Sequence, residues 1–144
     1  MNRWFWAWAI AATASGVPST AHAVVTGGDP LAATRAAGTL LPGGRPGVVR
    51  GAVAHAAVSA FWTTALVYTD RRRALSVWDG ITAGAVIALL DLEIAGRRHP
   101  AIRALPRWPQ WFDHLAYGAL TALVLKAARV SPDRGERNPP LGIS

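Results

Sequence analysis

The sequence predicts an all-α fold, an integral membrane four-helix bundle crossing the bilayer four times within residues 1–130 and followed by a disordered tail over 131–144. Three observations predict it. Of 144 residues, 51% are apolar and only 16% charged, respectively above and below the shares usual in a soluble domain. Windows of about 20 mainly apolar residues, the length a helix needs to cross the hydrocarbon layer, recur between clusters of charge. Trp4, Trp6, Trp8, Trp78, Trp108 and Trp111 fall at or near the ends of those windows, where amphipathic rings favour the headgroup level. Soluble helices with so few charges would have almost no polar face to turn to water.

The first span covers residues 4–25. Arg3, the apolar run from Trp4 to Ala14, Pro18 and the triplet Ala21-His22-Ala23 also have the form of a cleavable secretory signal over residues 1–23. An internal echo favours retention: Gly28-Asp29-Pro30, Arg35, Leu41-Pro42 and Ala54-His55 are matched in order by Arg98-His99-Pro100, Arg103, Leu105-Pro106 and Asp113-His114. Two copies of a helix, a proline-bearing loop and a second helix make the first span the counterpart of the third, and the bundle two related helical hairpins. Within residues 26–47, Asp29 ahead of Pro30 is a helix start, and a short interfacial helix is expected until Pro42-Gly43-Gly44 stops it.

The second span covers residues 48–69 and the third 76–96. The six residues 70–75 between them, DRRRAL, suit only a tight turn, so these two spans are expected to form an antiparallel hairpin. The fourth span covers 109–129. Arg3 and the triplet Arg71-Arg72-Arg73 favour an amino terminus on the cytoplasmic side, and the Arg-, Ala- and Gly-rich composition suits a bacterial inner (plasma) membrane protein.

Ionisable groups inside spans cost about 2.5 to 3.5 kcal/mol each at the helix centre on insertion scales, so their positions are informative. Asp91 shares a helical stripe with Gly80 and Gly84, a pair of small residues that lets a neighbouring backbone approach. His55 shares its stripe with Ser59 and Trp62, and His114 shares its own with Gly118 and Thr121. Because successive spans run in opposite directions, His55, Asp91 and His114 are all expected roughly 7 to 11 Å below one membrane face, at about 1.5 Å per residue. His22 belongs to the same face, with Asp113 and Glu93 flanking the set. A polar cluster of His55, Asp91, His114, His22, Asp113 and Glu93 is therefore expected at the end of the bundle bearing the two longer loops, with Gly80, Gly84, Ser59 and Gly118 packing the helices.

Zero cysteines exclude disulfides, thiolate metal sites and cysteine nucleophiles. The net charge of +7 is split into clusters between uncharged stretches, which is no nucleic-acid footprint, and no phosphate-binding glycine loop or Walker lysine is present. No cofactor is predicted. Two His on different helices keep haem or a metal open as an alternative, although no H-x-x-x-H, H-E-x-x-H or haem-attachment motif occurs. A proton, ion or small-solute transport component is a second alternative, and hydrogen bonding that only fixes helix packing is the bland account. Ser59 is the one tempting nucleophile, one turn from His55, and as such reads better as packing. Trp62, Tyr68 and Tyr117 read as packing or interface anchors.

Gly51-x-x-x-His55-x-x-x-Ser59, the carboxylate near the end of the third span and Asp113-His114-x-x-Tyr117-Gly118 resemble a loose group of uncharacterised small bacterial integral membrane proteins, four-helix domains of unknown function with His-x-x-Tyr-Gly in the last span. The resemblance covers about residues 47 to 125 and implies an inner-membrane protein with no assigned activity; the Trp-rich first span departs from it. The expectation is a non-enzymatic membrane component or accessory subunit whose partners are the lipid bilayer and a membrane protein or a second copy of itself.

Overall fold

A computed structural model describes residues 2–130; the tail expected over 131–144 lies outside them. Seven α-helices follow in order: α1 (Arg3–Ala14), α2 (Val17–Val25), α3 (Ala32–Ala37), α4 (Val48–Arg72), α5 (Val77–Ala88), α6 (Pro100–Arg103) and α7 (Arg107–Val130). Among the described residues there is no strand. The fold class is all-α. One described helix, Val48–Arg72, is by itself long and apolar enough to cross a membrane by length and composition.

Both odd-numbered sequence spans are broken. Residues 4–25 form two helices, because Pro18 has no N–H to bond backwards and its ring crowds the carbonyl one turn earlier. Residues 76–96 begin as α5, held by a capping box in which the Ser76 hydroxyl accepts from the Asp79 N–H at 3.1 Å and the Asp79 carboxylate accepts from the Ser76 N–H at 2.9 Å. From Leu89 to Ala95 the chain widens into a π-helical stretch, then tightens to 3₁₀ over Gly96–Arg98. The even-numbered spans are continuous, and α4 runs three residues past its expected end.

The chain therefore falls into two like units, each a broken helix, a short connecting helix (α3 or α6) and a long unbroken helix (α4 or α7). The short helices touch one another. Asp29 does accept the Leu31 N–H at 2.9 Å, but α3 starts only at Ala32; it gives way to a 3₁₀ turn over Gly38–Leu40, and Gly43 and Gly44 take the positive φ that ends the segment. Adjacency in sequence does not set the tightest pairing. Helix α5 packs chiefly on α7, not on α4 to which the 70–75 turn joins it, while α4 packs on α1 and α3.

The reason is side-chain size. A Cβ on Gly80 would fall inside van der Waals contact of the Gly118 carbonyl oxygen, one on Gly84 inside that of the His114 carbonyl, and one on Gly118 inside that of the Gly80 carbonyl. Three glycines thus let two backbones touch. Ala88 of α5 and Ala122 and Leu125 of α7 are almost wholly buried. At the far end of the bundle, Asp70 has no exposed side-chain surface and binds Arg129, Arg3 at 3.5 Å and the Leu75 N–H at 3.0 Å. Arg129 also donates to the Leu75 carbonyl at 3.1 Å, so one carboxylate ties the start of α1, the end of α4, the α4–α5 turn and the end of α7.

Two outcomes follow for stability. Gly118→Ala forces α5 and α7 apart and is expected to cost about 1–3 kcal/mol, the range for overpacking a close contact. Arg129→Met leaves the Asp70 charge buried beside one longer, weaker partner and is expected to cost about 3 kcal/mol. Thermal unfolding followed by tryptophan fluorescence measures both against Lys126→Met as a control on exposed surface.

Candidate functional site

Breaking a helix exposes backbone groups that its own ladder no longer satisfies, and the site is built where α4 and α7 meet those groups. At the α1–α2 break the Ala12 carbonyl oxygen lies 2.9 Å from His55 Nε2. A carbonyl only accepts, so Nε2 carries the hydrogen and donates. Across the same break the Ser19 N–H, in the first turn of α2, donates to Asp113 Oδ1 at 2.9 Å. His55 of α4 and Asp113 of α7 thus hold the two sides of the discontinuity.

The π-helical stretch carries Asp91. The Trp62 indole Nε1–H lies 3.0 Å from Asp91 Oδ2 and 3.3 Å from Oδ1, and His114 Nε2 stands 3.6 Å from Oδ2. The other nitrogen of that ring, Nδ1, is 2.7 Å from the Gln110 carbonyl oxygen one turn back. Nδ1 must therefore carry a hydrogen. In the neutral ring Nε2 presents a lone pair to the carboxylate; in the protonated ring it presents N–H, and the contact becomes an ion pair.

Beneath these groups a hydroxyl ladder joins the long helices. The Tyr117 hydroxyl donates to the Ser59 carbonyl at 2.6 Å, and the Thr63 hydroxyl, 2.7 Å away, supplies its hydrogen to the Tyr117 oxygen. Ser59 Oγ accepts from the Trp8 indole at 3.0 Å and donates to the Ala56 carbonyl at 3.1 Å. Ser59 therefore bridges α1, α4 and α7, and its hydroxyl is committed to packing.

These side chains line a cavity of about 760 Å³. His55, Asp91, Asp113, His114, Gln110 and Tyr117 form its polar part, and both His rings lie within electrostatic reach of Asp113. The walls are otherwise small or apolar: Ala12, Val17 and Ala21 at the first break, Val58 of α4 and Ile87 of α5, and Pro30, Ala33, Leu40, Ile102 and Leu105 from the two longer connections. Its location is under those connections. His55 is exposed and marks the opening; Asp91, Asp113 and His114 are partly buried.

Two residues of the expected cluster sit elsewhere. His22 is exposed on α2 beside Pro18, Arg107 and Phe112, because the Pro18 break turns the second half of the first span away from the direction a straight helix would give it. Glu93 faces Arg107 at 3.5 Å; two residues on from Asp91 it lies about 200° round the helix, on the side away from the cavity. Two residues read as packing anchors carry the site: Trp62, which supplies the donor to Asp91, and Tyr117, which joins the long helices. Trp62 was on the His55 stripe, and that shared stripe was the available signal. Trp4 and Trp8, read as interface anchors, stack at 5.7 Å between ring centres and donate to α4, Trp4 reaching Thr64 at 3.0 Å. Among the described residues no group of three His, Asp or Glu is placed to hold a metal ion.

Comparison with protein-family models, with curated proteins and with solved structures finds no match for this chain.

Trp62→Phe removes the donor that Asp91 uses while keeping the ring. It is expected to lower stability by about 1–3 kcal/mol, the cost of leaving a partly buried carboxylate short of a partner. Chemical unfolding checks this, and a loss below about 0.3 kcal/mol would show that the indole–carboxylate bond contributes nothing.

Proposed function

We propose that the chain is a four-span integral membrane protein of the bacterial inner membrane, without enzymatic activity, that binds a lipophilic small molecule in the cavity between its two units. The observation that carries the reading is the amount of large apolar surface left on the outside of a core rich in small residues. The largest side chains wholly shielded from solvent are Leu125, Thr63 and Thr121, and much of the remaining interior is Ala, Gly and Ser. Leu66, Val67, Leu75, Ile87, Leu92 and Ile102 are buried as well, yet many large apolar side chains point outward, among them Phe5, Ile10, Val53, Phe61 at 64% exposure, Val86, Ile94, Phe112 and Leu123. Small residues inside and bulky apolar residues outside is what helices do when lipid is the solvent and close backbone approach, not burial of large side chains, drives their association. So much exposed hydrocarbon on all the long helices would be a liability in water.

The broken helices support the same reading. Irregular backbone is tolerated at membrane depth only where protein or a cavity covers it, and both breaks line the cavity: side chains bond the Ala12 carbonyl and Ser19 N–H at the first and the Leu92 carbonyl at the second. On this view α1 with α2, and α5 with its π and 3₁₀ continuation, each serve as one interrupted span. The Arg3, Asp70 and Arg129 cluster marks the cytoplasmic end, with Arg71 to Arg73 beside it, so the cavity lies toward the opposite face. The first span is retained: cleavage after Ala23 would remove Trp8, Ala12 and Ser19, each a partner of a site or packing residue.

A volume of about 760 Å³ lies within the range drug-sized ligands occupy, and an apolar wall with a few convergent polar groups is the usual form of such a site. Three measurements test the reading. The chain should stay in the pellet on alkaline carbonate extraction and need detergent for release. Amino-terminal sequencing of the extracted protein should begin ahead of Trp4. A panel of neutral and charged lipophilic molecules should include members that raise its melting temperature by several degrees; release by carbonate, or a panel with no effect, overturns the membrane setting or the cavity's role respectively.

A further inference from the structure

The chain carries 15 Lys and Arg against 8 Asp and Glu, yet among the described residues the cavity lining includes Asp91 and Asp113 and no Lys or Arg. Outside the cavity, five arginines among the described residues are paired with carboxylates: Arg3 and Arg129 with Asp70, Arg35 with Asp29, Arg73 with Asp79, Arg107 with Glu93. The titratable groups that face the two carboxylates are His55 of α4 and His114 and Tyr117 of α7; α1, α2, α3 and α6 contribute no titratable lining residue. Within the lining, the groups able to take up a positive charge opposite the two carboxylates are the imidazoles of His55 and His114.

Resting on the membrane-cavity reading above, we propose that the ligand is a lipophilic organic cation and that it exchanges with the proton on the His114–Asp91 pair. With both rings neutral the cavity holds two uncompensated carboxylates behind apolar walls, where a charge is felt far more strongly than in water. An aliphatic or aromatic cation satisfies both features, its hydrocarbon against Val58, Ile87 and Leu105 and its charge against Asp91. The Trp62 ring at the same carboxylate suits an onium group. Protonation of His114 at Nε2 forms the internal ion pair and removes the counter-charge that the ligand needs. In the exchange the Nε2–H bond breaks, the proton leaves to bulk water and the cation takes its place beside the carboxylate, so one positive charge enters for each that departs. Asp113, held by the Ser19 N–H, keeps a second negative charge in reserve near His55.

The test uses the full chain in lipid nanodiscs, with empty nanodiscs as the partition blank. Three probes of similar shape are compared by equilibrium binding: tetraphenylphosphonium, the anion tetraphenylborate and neutral triphenylphosphine oxide. Saturable binding of the cation alone is expected, at least tenfold tighter at pH 8 than at pH 5.5, the interval over which histidines change charge. At intermediate pH, binding should release protons, read by calorimetry in buffers of different ionisation enthalpy. Asp91→Asn should lose at least tenfold in affinity and its pH dependence, while His114→Gln should keep cation binding at pH 8 and lose most of the fall at pH 5.5. Equal binding of all three probes, or cation binding independent of pH, overturns the charge assignment while leaving a lipophile-binding cavity; no saturable binding by any probe overturns the cavity reading itself. If Asp91→Asn does not fold, the three-probe comparison on the unaltered chain decides alone.

Discussion

The close approach of α5 and α7 is the constraint on which the rest of the molecule depends. Gly80, Gly84 and Gly118 remove the side chains that would hold the two backbones apart, and each fills the space with a carbonyl of the facing helix. That contact sets the register between the helices. It brings the π-helical stretch beside the first half of α7, so that Asp91 meets the ring of His114, and it leaves α4 to close the other side with Trp62 and Tyr117 as its links. A methyl group at any of the three positions would displace the carboxylate from the imidazole by the same shift that opened the helices.

Helix interruption has a constructive role here. A continuous helix satisfies its own backbone and offers a neighbour only side chains; a broken one offers carbonyls and N–H groups as well. His55 and Asp113 use those groups at Ala12 and Ser19, and Arg107 reaches the Leu92 carbonyl at 3.3 Å within the π-helical stretch. The breaks occur in corresponding places in the two units, both in the first helix and both facing the cavity. Two like units thus surround a shared space that neither encloses alone.

Charge is distributed by the same logic. The end of the bundle away from the cavity is locked by a carboxylate with no exposed side-chain surface, Asp70, between two arginines, and it has no freedom to exchange partners. Around the cavity the carboxylates face imidazoles, whose charge depends on pH, and an indole, which donates without a charge. A permanent ion cluster at one end and a conditional one at the other separate the structural task from the chemical one.

Much of this was legible in the sequence, and for identifiable reasons. The all-α class, the two long unbroken helices, the short helix before Pro42-Gly43-Gly44 and the stripe that His55 shares with Trp62 depend on local periodicity and on the chemistry of proline and glycine, which each segment carries by itself. The position of His22 was not legible, because a straight-helix projection cannot register the turn at Pro18; that of Glu93 could have been read, since two residues on from Asp91 it faces the other side of the helix. Nor could sequence order reveal that α5 pairs with α7 in preference to α4, that Asp70 gathers three helix ends, or that Trp62 serves a carboxylate and not the membrane interface. Those facts belong to distances between segments far apart in the chain, and only packing in three dimensions assigns them.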